Sequence, residues 1–147
     1  MIADNFKNIK RRIRLAAEKA GRNPADIRLV AVTKEHSVTA VTEGIRAGSE
    51  IFGENKVQDA RDTIQTLGHD GIEWHFIGHL QKNKVKFIFD LFDLIHSVDS
   101  LALAEAIHEK ADDLGLCMPI LLQVNVSGES SKLGVDPKNV TEVIRKI

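Results

Sequence analysis

Short apolar runs rich in β-branched residues alternate with helix-period segments along nearly the whole chain, and this alternation limits the fold more than any other feature. Arg28–Thr33, Glu50–Phe52, Glu73–Ile77, Leu94–Val98 and Pro119–Val126 read as strands. Between them, Val38 to about Ala47, the Val57/Ala60/Ile64/Leu67 set, the Val85/Ile88/Phe89/Phe92 set and Leu101–Leu114 carry apolar residues at helical spacing. Ser37 can cap the first of these helices, Gly48 can end it, and Gly115 can end the last. Ahead of the first strand, Ile2, Phe6, Ile9, Ile13, Ala16, Ala17 and Ala20 mark an extra amphipathic helix stopped by Gly21.

Unbroken βα alternation predicts right-handed crossovers, a parallel sheet and an α/β fold with its site at the C-terminal ends of the strands. The first strand is expected to be buried on both faces, as parallel strands usually are. Periodicity alone leaves two architectures open, a doubly wound sheet and a (β/α)8 TIM-like barrel. A barrel usually needs at least about 200 residues. The 147 residues here offer about five strands, so residues 1–147 read as a single domain that would be an incomplete barrel. Val140, Val143, Ile144 and Ile147 form one more helix face, which stops without a cap. That ending is expected of a fragment truncated on its C-terminal side, or of a chain whose exposed sheet edge is covered in an oligomer.

Basic and acidic residues nearly balance, 20 against 21, which argues against nucleic acid or an anionic membrane as partner. The cluster Lys10, Arg11, Arg12 and Arg14 lies in the amphipathic helix and reads as its solvated face. Cys117 is the sole cysteine, so an internal disulfide is excluded. Its apolar setting predicts packing, and a reducing compartment fits. No apolar run approaches the roughly 18 residues of a membrane span and no secretory leader pattern is present, so the cytoplasm is the expected location.

The residues just past each strand form a polar rim: Lys34, Gly53-Glu54-Asn55, Gly78-His79, Ser97 with Asp99, and Asn125 to Lys132. A lysine at the end of a buried strand is partly desolvated, which favours free amine and attack on an aldehyde. The same position also suits a lysine whose stem covers apolar surface. Gly53-Glu54-Asn55 suits an anion or ring contact, or simply a capped turn. His79 can bond a ligand or a carbonyl. His75 and His79 are four apart but span strand and turn, so helical metal-site geometry does not apply and no metal is expected. Ser127–Gly134 is a polar loop able to hold phosphate through hydroxyls and amides, without the spacing of a P-loop. The chain contains no tyrosine.

Five ordered blocks resemble the pyridoxal phosphate homeostasis family of alanine-racemase-like barrels. They are Leu29-Val-Ala-Val-Thr-Lys34, Phe52-Gly-Glu-Asn-Lys-Val-Gln58, Glu73-Trp-His-Phe-Ile-Gly-His-Leu-Gln-Lys-Asn-Lys84, Ile95-His-Ser-Val-Asp99, and Gln123–Gly134. The resemblance implies pyridoxal 5′-phosphate as cofactor, an imine at Lys34, Asn55 and His79 near the pyridine ring, and Lys132 as a secondary lysine near the mouth. It implies cofactor homeostasis without substrate turnover, with apo pyridoxal-phosphate enzymes as recipients. An amino-acid racemase is the alternative, and the missing tyrosine removes the second base such an enzyme uses. Glu35-His36-Ser37 departs from the family's turn, where a proline is usual. The family's phosphate loop lies in a C-terminal third that these residues do not include, so a fragment that does not retain the cofactor is the third expectation.

Overall fold

A computed structural model describes all 147 residues, Met1–Ile147. Five strands form one sheet: β1 (Ala31–Val32), β2 (Ile51–Glu54), β3 (Glu73–Phe76), β4 (Leu94–Val98) and β5 (Ile120–Leu122). All neighbours are parallel, and their spatial order follows their order in the chain. Each new strand is therefore added on the same side. A doubly wound sheet reverses direction at a switch point, whereas a barrel wall grows this way, so the order decides between the two architectures.

The helices are α1 (Ile2–Lys19), α2 (Val38–Arg46), α3 (Val57–Leu67), α4 (Leu101–Leu114) and α5 (Val140–Lys146). Several boundaries follow from local chemistry. Ser37 accepts from the Ala40 amide at 3.3 Å and Ser100 from the Leu103 amide at 3.3 Å, which satisfies first-turn donors of α2 and α4. Gly115 closes α4 in the left-handed conformation at φ +63°.

The core lies on the helix-covered face of the sheet. Phe52, Trp74, Phe76 and Ile95 point there, as period-two alternation requires of residues in register, and meet Val41, Ala60, Ile64, Leu103 and Ile107 from α2, α3 and α4. Trp74 is fully buried, lies 5.4 Å from the Phe52 ring centre, and donates its indole N–H to the Gly68 carbonyl at 2.9 Å.

Four expectations are corrected. The segment after β3 is a 3₁₀ helix, Lys82–Phe87, followed by turns, rather than an α-helix. Val85 is the one buried residue of the 3₁₀ helix, while Ile88, Leu91 and Phe92 are buried in and after the turns that follow it. β1 is a two-residue edge strand paired only with β2, so it is not buried on both faces: Val32 is 48% exposed. β5 is likewise shorter than the Pro119–Val126 run, and Leu121 is 49% exposed. Cys117 is exposed in the connection from α4 to β5, beside Leu116, instead of packed.

Candidate functional site at the strand ends

Lys34 follows β1 in a turn closed by the His36 amide donating to the Thr33 carbonyl at 3.0 Å. Within that turn Glu35 has φ +64°, a left-handed conformation that costs a side-chain-bearing residue about 1–2 kcal/mol. The turn thus holds strain directly beside the lysine. Lys34 itself is exposed, so the desolvation expected from its place after a strand is not present. The reason is the edge position of β1, which leaves one side of the strand end uncovered.

Gly53 and Glu54 belong to β2 rather than to a loop. A Cβ on Gly53 would lie 3.0 Å from Val30 Cγ1 and 3.1 Å from Ile77 Cδ1, so the missing side chain serves the packing of those two residues and opens no ligand space. The Glu54 side chain turns inward and accepts from the Thr33 hydroxyl at 2.6 Å. Burial raises its carboxyl above the usual range, against the Thr33 hydrogen bond, which lowers it. Glu54 therefore ties β1 to β2 and is not free to meet a ligand.

Asn55 and His79 do come together, at the ends of β2 and β3, lining one crevice of about 290 Å³. The close approach is permitted by Gly78, where a Cβ would fall 2.0 Å from the Asn55 carbonyl oxygen. His79 Nδ1 also lies 3.4 Å from Asp99 Oδ2, linking the ends of β3 and β4. Lys34 and Lys132 lie outside that crevice. Lys132 is exposed on the loop that begins at Asn125.

Asn125 organises that loop from within: its side-chain amide donates to the carbonyls of Glu129 at 2.9 Å and Lys132 at 3.2 Å, while its Oδ1 accepts from the Ser127 hydroxyl and the Gly128 amide. That hydroxyl and that amide are used within the loop, while Ser130 and Ser131 are exposed on it. Ser97, the other rim hydroxyl, is buried with no hydrogen-bond partner.

Two features escaped sequence reasoning. On the face of the sheet opposite the core, Arg28 pairs with Glu73, Glu73 Oε2 lies 3.4 Å from His75 Nε2, and His75 Nδ1 lies 3.0 Å from His96 Nε2. Because ionised Glu73 can only accept, His75 carries its proton on Nε2 and accepts at Nδ1 from His96. The signal was the polar Glu73 and His75 at alternate positions of a strand. The second feature is cationic: Lys56, Arg61 and Lys84 line the Asn55/His79 crevice. Lysines at every second position from Lys82 to Lys86 were its signal.

Burial lowers the basicity of both His75 and His96, and the Glu73 carboxylate offsets this at His75. Both are neutral in the fold at neutral pH. Since their folded pKa values lie below the unfolded value near 6.5, their contribution to stability is complete above that pH and is lost as pH falls toward the folded values. Glu54, with its raised carboxyl pKa, acts in the opposite sense, losing its contribution as pH rises through its folded value. The histidine effect is isolated by comparison with His75→Gln. Urea unfolding between pH 7 and 5 should show wild type losing more stability than the variant, by up to about 1.4 kcal/mol per pH unit for one excluded proton. Parallel pH curves would show that His75 takes up its proton equally in both states.

Residues 5–147 match the family described as alanine racemase, N-terminal domain. The chain belongs to that family. It is 39% identical over 145 residues to the pyridoxal phosphate homeostasis protein of Escherichia coli, covering 97% of this chain and 62% of the relative. Among solved structures it is similar to PipY of Synechococcus elongatus with PLP bound, at TM-score 0.78 and 35% identity, over 99% of this chain and 63% of the other. An alanine racemase from Clostridium difficile matches at TM-score 0.72 and 18% identity, over 97% of this chain and 36% of the other, and that likeness concerns the fold alone. The five parallel strands are thus the N-terminal part of an alanine-racemase-like barrel. The chain spans about three fifths of the length of the curated relative.

Proposed function

We propose that this chain binds pyridoxal 5′-phosphate through an imine at Lys34 and serves cofactor homeostasis without substrate turnover. The observation that carries the reading is Lys34 itself, an exposed amine on the strained turn at the C-terminal end of β1, in a chain similar to PipY with PLP bound. The cofactor supplies an aldehyde, and condensation with the Lys34 amine forms the C=N bond and releases one water.

The remaining residues fit the ring end of the ligand better than its phosphate. Asn55 and His79 converge at the neighbouring strand ends and can orient a ring, and Lys132 adds a cation on the Asn125 loop. On the Ser127–Gly134 loop Asn125 already holds the Ser127 hydroxyl and the Gly128 amide, which leaves the exposed Ser130 and Ser131 as its hydroxyls for a phosphate. The half-exposed Val32 and Leu121 are taken as surface that further polypeptide covers. The reading also places the protein in the cytoplasm, with apo enzymes that need the cofactor as recipients.

The test adds pyridoxal phosphate to the purified chain, reduces with borohydride and locates the modified lysine by peptide mass. One dominant adduct at Lys34 is expected. Labelling spread over surface lysines, or none, would overturn the assignment. Steady racemisation of an amino acid above a Lys34→Ala control would replace the homeostasis reading with an enzymatic one.

A further inference from the structure

We infer that the crevice between α3 and the 3₁₀ helix Lys82–Phe87 is an anion site for a small phosphomonoester, which does not include Lys34 but shares Asn55 and His79 with the ring position of the proposed function. Lys56, Arg61 and Lys84 line it together with the amide side chains of Gln58 and Gln81. Lys56 and Asp59 approach only to 3.8 Å, with both side chains more than half exposed. Arg61, Lys84 and the adjacent Lys86 have no carboxylate within 4 Å.

These three cations gather on one aromatic ring instead. Arg61 Cζ lies 5.1 Å, Lys86 Nζ 4.9 Å and Lys84 Nζ 5.9 Å from the centre of Phe87. The ring's quadrupole attracts each of them, but it cannot neutralise them, and like charges so close repel. In a chain whose net charge is -1, an unneutralised cluster beside a concave space is a local excess of positive potential. α3 also starts at this crevice with no side-chain cap, which adds its positive end to the side-chain charges.

Size and shape select the ligand class. About 290 Å³ is at the lower limit of small-molecule sites, which favours a small ligand. A phosphate dianion has the charge for the Lys56/Arg61/Lys84 set, and an arginine matches it with two parallel N–H donors. The amides of Gln58, Gln81 and Asn55 can bond the ester's hydroxyls. No carboxylate lines the crevice, and Asp99, 3.4 Å from His79, stands outside it.

The experiment titrates the intact chain with inorganic phosphate and with glycerol 3-phosphate, neither of which carries an aldehyde, and follows backbone amide resonances by NMR. Shifts should concentrate at Val57, Gln58 and Gln81. Arg61→Gln combined with Lys84→Gln should weaken both ligands by about tenfold or more. Lys34→Ala should bind as wild type, since neither ligand forms an imine and Lys34 does not line the crevice, and Arg11→Gln with Arg12→Gln should also bind as wild type. The inference is overturned if saturable binding is absent, if the two arginine controls weaken binding equally, or if Lys34→Ala removes it. Glycerol 3-phosphate binding more tightly than inorganic phosphate would support an ester as occupant. The reverse order would reduce the site to one for free phosphate.

Discussion

Gly78→Ala should destabilise the chain by about 3 kcal/mol or more, the upper end of the range for forcing atoms into a packed site. The added Cβ would meet the Asn55 carbonyl oxygen at 2.0 Å and its carbonyl carbon and Cα at 2.7 Å. All three obstacles are backbone, so no rotamer change relieves the clash, and the ends of β2 and β3 must move apart. That movement would carry Asn55 away from His79 and open the crevice between them. Gly115→Ala is the control. Gly115 has φ +63° and ψ +32° but nothing within 4 Å of its Cβ position, so only the left-handed backbone opposes the change, at about 1–2 kcal/mol. Urea midpoints measured on both variants decide the matter: equal losses would mean that the strand ends yield freely at Gly78.

Lys34→Ala should abolish the imine, seen as loss of its absorbance and of borohydride-trapped adduct at that position. Because Lys34 is exposed, stability should change by no more than about 0.5 kcal/mol. The Thr33–Glu54 hydrogen bond beside it uses a different side chain and stays in place. Loss of binding without loss of stability is therefore the expected pair of results. Retention of a single strong adduct on another lysine would move the cofactor site, with Lys132 the first place to look.

Much of this molecule was legible in the residues. β4 and α4 appear at the predicted bounds, since Gly115 marks the end of the helix by local chemistry and Leu94–Val98 is a short segment with apolar ends, while the Ser100 cap became visible only in the structure. α3 buries Ala60 and Ile64 of its predicted face for a similar reason. The α-helix expected after β3 is a 3₁₀ helix because apolar residues three and four apart fit either turn, and periodicity does not choose between them.

The rim shows the same division. Chain order and strand ends placed Lys34, Asn55, His79 and Lys132, since residues after parallel strands share one end of the sheet. Their surroundings were not readable. Lys34 is solvated because β1 is an edge, Glu54 is turned inward by strand alternation, and the Ser127–Gly134 loop folds around Asn125 through bonds that no spacing rule specifies.

The sequence by itself determined the α/β class and the order of its elements, because caps, periodicity and strand ends act over a few residues; Lys34 was singled out only by the resemblance of its block to a known family. Periodicity left the barrel open and the resemblance implied it; the strand order bears it out. Only the tertiary structure decided that His75 and His96 share a proton-directed contact, and that Lys56 and Arg61 meet Lys84 beside Asn55 and His79. Those relations join segments more than twenty positions apart, and their distances are set by strand register and side-chain packing, which no local pattern encodes.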